Sequence, residues 1–110
     1  MKSYTDLEQS KKLAEILPLE SADYCWGIDD ETLHYNSSPY PCAWKDYTCK
    51  EYYIPCWSLA ALLKLIPNFN MFKRTIECKI ETTNHSIDKA CDLVDAAFEM
   101  ICWLKENNEL

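Results

Sequence analysis

Glycine, long apolar runs and closely spaced cysteines are scarce in this sequence, and each scarcity excludes a class of protein. Glycine occurs once in 110 residues, at Gly27. A Walker phosphate loop and a dinucleotide-binding fingerprint each need several glycines, so nucleotide-dependent enzymes of those two types are excluded. No apolar stretch exceeds five residues, as at Leu59 to Leu63, whereas a membrane span needs ~20. We therefore predict no membrane association.

Signals for secretion are also missing, which bears on the state of the cysteines. Asp6, Glu8 and Glu15 interrupt the apolar residues of the N-terminus, so it lacks the apolar core of a secretory signal. The seven cysteines are an odd number, whereas disulfide-rich secreted scaffolds usually carry an even set. We expect a cytoplasmic protein with reduced thiols, several of them packed as small apolar side chains.

Composition favours one folded unit. The chain is 48% hydrophobic and 26% charged, with a net charge of −7. This balance excludes a disordered tail and allows one hydrophobic core. We predict a single compact domain over residues 1–110.

Apolar periodicity and turn-forming residues predict helices and strands in alternation. The predicted helices are Asp6 to Leu17 with a capping box of Thr5 and Glu8, Cys56 to Ile66, and Ile87 to Lys105 with Ser86 as N-cap. The predicted strands are a hairpin over Asp23 to Ser37, an edge strand within 47–54, and a half-buried strand over 75–82. Neighbouring strands without an intervening helix favour an α+β fold, with a small antiparallel sheet of three to four strands packed against two to three helices.

The central part of the chain differs from its flanks in charge and in aromatic content. Residues 32–74 carry a net charge of +3, against −5 on each side, and hold nine of the 14 aromatic residues. Tyrosine and tryptophan give large contact areas at low entropic cost, so they are typical of recognition surfaces. We predict an aromatic-rich binding surface within residues 35–57, which contacts a protein partner or a second copy of the chain. Its central residues are Trp44, Tyr47, Tyr52 and Tyr53.

Other interpretations of this composition remain open. The same rings could simply cover the open face of a small sheet. The overall charge of −7 repels phosphate, which disfavours nucleic-acid binding. The acidic flanks could instead imitate DNA, although solvated helix faces explain them as well.

Candidate chemistry centres on the cysteines and the two histidines. Structural zinc sites usually pair ligands two to four residues apart, but no two cysteines here are closer than the spacing of seven in Cys42, Cys49 and Cys56. We therefore predict no metal site and no cofactor. The alternative to a binding module is a small thiol-dependent enzyme or redox-sensitive protein. In it Cys56, at the start of a predicted helix, is the thiolate and His34 or His85 the base.

Three strings together resemble a known family: YTDLEQSKKLAEILPLESADYCW, IPCWSLAALLKLIP and IDKACDLVDAAFEMICWL, which cover about half of the chain. They are similar to a family of short uncharacterised proteins of Bacteroides-type gut bacteria and their phage-like mobile elements. The resemblance implies a bacterial or phage context and a cytoplasmic setting. It supplies no catalytic or binding residue.

Overall fold

A computed structural model describes residues 2–27, 38–42, 53–67, 70–73, 78–82, 85–90 and 92–110. Within these ranges the chain forms three α-helices, six short strands and one 3-10 turn at Leu19–Ser21. The helices are α1 (Leu7–Ile16), α2 (Leu59–Leu65) and α3 (Leu93–Glu106). The strands are β1 (Tyr24–Gly27), β2 (Tyr40–Pro41), β3 (Tyr53–Cys56), β4 (Asn70–Lys73), β5 (Cys78–Glu81) and β6 (Ser86–Ala90).

The strands form antiparallel sheets, and the predicted α+β class is confirmed. One sheet has the order β2-β1-β3 and the other the order β4-β5-β6. The sequence led us to expect one sheet, whereas the described strands divide into two sheets of three, with α2 between them along the chain. Helix α3 packs against α2, β5 and β6, and α1 packs against β3.

A buried cluster joins the helices to both sheets. Leu13 of α1, Cys25 of β1, Leu62 of α2 and Ile80 of β5 are all fully buried in it, together with the inward face of α3. Trp57, between β3 and α2, is also fully buried in this cluster. Because its members come from all parts of the described chain, this core fixes the positions of the shorter strands.

Helix α1 begins close to where the sequence predicts, but a different residue caps it. The side chain of Asp6 accepts a hydrogen bond from the Gln9 N–H, and the Gln9 side chain accepts one from the Asp6 N–H. The predicted box of Thr5 and Glu8 is therefore wrong by one residue. Thr5 is fully buried, and its hydroxyl contacts the Ser10 hydroxyl instead.

The other two helices begin later than predicted. Ser58 caps α2 by accepting from the Ala61 N–H, so Cys56 ends a strand and does not start a helix. Asp92 caps α3 by accepting from the Asp95 N–H. Ser86, predicted as the N-cap of that helix, and residues 87–90, predicted as its first turn, instead form strand β6, which pairs with β5. A short segment with few apolar residues is compatible with both a helix and a strand. Here the backbone hydrogen bonds offered by β5 favour the strand.

The strand predictions are partly confirmed. Strand β1 lies in the first half of the predicted hairpin, whose second half falls largely outside the described residues. Most of the strand predicted within 47–54 lies outside the described residues; its last two residues, Tyr53 and Ile54, belong to β3, which is at the edge of its sheet among the described strands. Strand β3 contains Pro55, which an edge strand tolerates because one side of its backbone needs no partner strand. None of the described helices combines the length and the apolar character needed to cross a membrane.

Candidate functional site

The residues proposed from the sequence fall into two groups. Trp44, Tyr47, Tyr52 and His34 lie outside the described residues. Tyr53, Cys56 and His85 lie within them. Tyr53 is half-buried and opens β3, where its register partner in β1 is Gly27.

A cavity of about 290 Å³ lies beside this sheet, lined by Lys2, Ser3, Tyr4, Asp6 and Trp26. We refer to it as the aromatic cavity. The ring of Tyr4 lies 6.2 Å from that of Trp26 in an edge-to-face arrangement, and 5.9 Å from the ring of Tyr24 at a tilt of 32°. Edge-to-face and offset contacts at these distances are favourable between aromatic rings. The three rings therefore form a preorganised aromatic cluster, in which Tyr4 and Trp26 line the cavity and Tyr24 supports Tyr4.

The backbone places Tyr4 opposite the sheet. Tyr4 forms an isolated antiparallel bridge with Ser58. The Thr5 N–H donates to the Trp57 carbonyl at 2.9 Å, and the Leu59 N–H donates to the Ser3 carbonyl at 3.2 Å. The N-terminal segment is thus tied to the chain that links β3 to α2.

Strand β1 supplies the other two rings through its alternation. Cys25 and Gly27 are buried, whereas Tyr24 and Trp26 are only half-buried. Successive side chains of a strand point to opposite faces, so Tyr24 and Trp26 share the face that meets Tyr4. Trp26 also lies directly opposite Ile54, one residue after Tyr53.

Trp26 carries a buried donor without a partner. Among the described residues, its indole Nε1 is the buried side-chain nitrogen or oxygen that makes no hydrogen bond. Leaving such a donor unpaired costs about 1–3 kcal/mol. Most buried polar groups are satisfied, so the Trp26 Nε1 is an exception in this part of the sheet.

The charged groups of the cavity are paired within the protein. The Lys2 Nζ lies 3.0 Å from Asp6 Oδ2 and 2.7 Å from Asp95 Oδ1. Partial burial lowers the pKa of Lys2, but its hydrogen bonds to Asp95 and Asp6 outweigh burial and raise the pKa above its ordinary value. Burial by itself would raise the pKa of Asp6. Hydrogen bonds from the Gln9 N–H and from Lys2 outweigh burial and hold this pKa below its usual range. Both groups are therefore charged at neutral pH.

These features define what the cavity can hold. Small-molecule sites usually measure ~300–1,000 Å³, so a volume of about 290 Å³ is small for a cofactor. Lys2 and Asp6 already neutralise each other, so the wall offers aromatic surface and no unpaired charge. This combination suits one apolar or aromatic side chain of a partner.

Cys56, the predicted nucleophile, lies in surroundings that do not activate a thiol. It is fully buried, and its Sγ donates to the Thr5 carbonyl at 3.3 Å. Burial raises its pKa, whereas a reactive cysteine needs a lowered one. The helix-start argument does not apply to it, because Cys56 ends β3.

His85, one of the two proposed bases, makes a different contact. Its ring stacks in parallel on that of Trp103, with the centroids 4.1 Å apart. No hydrogen bond within the described ranges joins it to Cys56. The structure therefore does not bring this predicted pair together.

Cys25 and Cys42 are a pair of neighbouring thiols that the sequence does not predict. Cys42 follows β2, and its thiol is a neighbour of the Cys25 thiol in β1. Burial, together with the Cys25 thiol, raises the pKa of Cys42 to about 12. Nothing in the spacing of these residues indicates the contact, because it depends on how β2 pairs with β1.

This raised pKa predicts a loss of stability in alkaline solution. An ordinary thiol ionises near pH 8.5, as Cys42 does in the unfolded chain. The folded chain holds it neutral up to about pH 12. The neutral Cys42 thiol therefore makes its full contribution to the free energy of unfolding below about pH 8.5. This contribution is lost as the pH rises from there toward 12.

Chemical unfolding at a series of pH values between 8 and 11 measures this effect. Tyrosine and lysine also ionise in that range, so the comparison is with the variant Cys42→Ser. We expect the stability of Cys42→Ser to decline less steeply with pH than that of the wild type. Parallel declines in the two proteins would contradict the assignment.

The aromatic cavity was not anticipated as a site, although one signal for it exists. The alternation in residues 24–27 predicts a strand with Tyr24 and Trp26 on one face. No local pattern indicates that Tyr4 lies opposite them. Among the described residues, no group of three or more His, Cys, Asp or Glu side chains could hold a metal ion. Compared with protein-family models, curated proteins and solved structures, the chain has no match.

Proposed function

We propose that this protein is a non-catalytic binding module for another protein or for a second copy of itself. Its contact surface combines the aromatic cavity with the aromatic-rich segment 35–57. The observation that carries the proposal is the pair of Tyr4 and Trp26 rings in the wall of the cavity, with the Tyr24 ring packed against Tyr4, beside charges that are internally paired. Rigid aromatic walls of this kind are frequent at the energetic centres of protein interfaces.

Tyr53 links the two parts of this surface. It lies within the aromatic-rich segment and opens β3, one register position from the pair formed by Trp26 and Ile54. Trp44, Tyr47 and Tyr52 belong to the same segment and lie outside the described residues. We propose that a partner with one side chain in the cavity also contacts this segment.

Charge and size support a protein partner over other ligands. The net charge of −7 opposes nucleic acid, and the cavity is small for a nucleotide or cofactor. The resemblance to proteins of gut bacteria and phage-like elements supports a bacterial cytoplasm as the setting. Cytoplasmic action in such a host is part of this proposal.

The test compares variants of the two parts of the surface in one binding assay. Self-association is measured by sedimentation of the purified chain, and heterologous binding by capture from a bacterial lysate followed by titration of the purified partner. We expect Trp26→Ala, and separately the double variant Trp44→Ala with Tyr52→Ala, to weaken binding about tenfold or more, as truncation of interface anchors usually does.

Trp103→Ala is the matched control, because Trp103 is a half-buried aromatic residue that stacks on His85. It should bind like the wild type. Circular dichroism and thermal unfolding of each variant separate a lost contact from a lost fold. Undiminished binding by well-folded Trp26→Ala and by the double variant would refute the proposal.

A further inference from the structure

The two thiols of Cys25 and Cys42 are neighbours because of the register between β1 and β2. Cys25 lies opposite Tyr40, and the Cys42 N–H donates to the Asp23 carbonyl at 3.1 Å. Cys42 is two residues beyond Tyr40, so its side chain lies on the same face of the sheet as Cys25. The two residues are thus diagonal neighbours on one face of the sheet, close enough for the Cys25 thiol to help raise the pKa of Cys42.

Diagonal neighbours lie slightly farther apart than a disulfide prefers. Their Cα atoms are typically ~7–8 Å apart, whereas a disulfide usually needs less than about 7 Å. Strand β2 has only two residues and lies at the edge of its sheet. An edge strand this short has few bonds to resist the small shift that brings the two sulfur atoms together.

Accessibility gives the two thiols an order of reaction. Cys25 is fully buried, whereas Cys42 is half-buried. An oxidant therefore reaches Cys42 first and Cys25 second. This order is that of an attacking thiol followed by a resolving thiol. Because the pKa of Cys42 is raised, the attack is slow, and the redox equilibrium, not the rate, decides how much disulfide forms.

We propose that Cys25 and Cys42 are a redox modification site, which a small-molecule disulfide such as oxidised glutathione converts into an intramolecular disulfide. The Cys42 sulfur attacks the small disulfide, forms a mixed disulfide and releases one glutathione thiolate. The Cys25 sulfur then attacks the Cys42 sulfur, forms the protein disulfide and releases the second thiolate. The two protons lost by the cysteines end on the two glutathione molecules, which take up the two electrons.

Cys56 and Cys102 have other neighbours. Cys56 hydrogen-bonds to Thr5, and the charged groups around Cys102 are Lys12, Glu99 and Glu106. Within the described ranges, neither thiol contacts a cysteine. Cys102 is half-buried like Cys42, so Cys102→Ser is the matched control.

The experiment equilibrates the full chain in buffers with increasing ratios of oxidised to reduced glutathione, quenches it with acid and alkylates the free thiols. Trypsin then releases residues 13–45, which contain Cys25 and Cys42 and no other cysteine. We expect this peptide to escape alkylation and to weigh two hydrogens less than its reduced form. Further cleavage after Glu31 should yield two fragments that separate only after reduction.

The folded chain should oxidise at a glutathione ratio about tenfold lower than the chain in urea, a difference of ~30 mV for a two-electron couple. The reason is that the folded sheet already holds the thiols in contact. Cys102→Ser should match the wild type, and Cys25→Ser should stop at the glutathione adduct of Cys42.

Three results would overturn the proposal. The first is alkylation of both cysteines in residues 13–45 at every ratio of oxidised to reduced glutathione. The second is a disulfide between Cys42 and a cysteine outside that peptide. The third is oxidation of the folded and the urea-unfolded chains at the same glutathione ratio. The measurement on the wild type suffices even if a serine variant fails to fold. Because it concerns the β1–β2 pair, the inference does not depend on the proposed binding function.

Discussion

Replacing Trp57 with alanine should lower the free energy of unfolding by about 3–5 kcal/mol, the usual cost of truncating a large buried aromatic side chain. Trp57 is fully buried in the core cluster that joins both sheets to the helices. Its indole Nε1 also donates to the Ser21 hydroxyl at 2.9 Å. The substitution therefore leaves a cavity and removes one hydrogen bond to Ser21, whose hydroxyl still donates to the Pro18 carbonyl. Urea unfolding followed by circular dichroism measures the loss.

Two further variants test the reason for this effect. Trp57→Phe keeps an aromatic ring but removes the donor to Ser21. It should therefore lower the free energy of unfolding by less than the alanine variant does. Trp103→Ala truncates a half-buried tryptophan on α3, so it should also lower the free energy of unfolding by less than Trp57→Ala. Equal losses for Trp57→Ala and Trp103→Ala would contradict the central position of Trp57 in the core.

Replacing Thr5 with valine should lower the free energy of unfolding by about 2–6 kcal/mol, although the two side chains have the same shape. The Thr5 Oγ1 lies 2.8 Å from the Ser10 hydroxyl and accepts from the Trp57 N–H at 3.2 Å. All three residues are fully buried. Valine leaves the two partners unpaired, at about 1–3 kcal/mol for each.

Thr5→Ser separates the hydroxyl from the methyl group. It keeps the hydrogen bonds and removes one methyl group, at a cost of about 1 kcal/mol. The expected order of stability is wild type, then serine, then valine, measured in the same urea titration. A valine variant at least as stable as the serine variant would show that the hydroxyl contributes nothing.

Thr5 also connects stability to the proposed binding surface. It follows Tyr4, and its hydroxyl accepts from the Trp57 N–H, which helps to hold the N-terminal segment against Trp57. Loosening this contact should move the Tyr4 ring away from Trp26 before the core unfolds. Binding by Thr5→Val should therefore weaken under conditions in which the protein is still folded.

Several elements were predictable because their patterns are local. The alternation of Tyr24, Cys25 and Trp26 predicts a half-buried strand, and β1 is one. The apolar spacing before Pro18 predicts α1 to within one residue at each end. Composition and element order also predict the α+β class.

Helix starts and short strands were harder to predict, since two local structures compete there. Thr5 has the spacing of a capping residue, but the fold uses its hydroxyl to join Ser10 and Trp57. Ile87 and Ala90 have helical spacing, but β5 supplies backbone partners that make them a strand. Cys56 follows a proline as a helix-start residue often does, yet pairing with Tyr24 draws it into β3.

The sequence alone determined the character of this protein: an acidic chain with an α+β arrangement, a surplus of aromatic residues and no nucleotide-binding loop. Only the tertiary structure decided which residues meet. It brings Tyr4 to Trp26, places Cys42 against Cys25, and buries Cys56 away from any described histidine partner. The reason is that periodicity depends on near neighbours in the chain, whereas these contacts depend on strand register and on closure of the chain around Trp57.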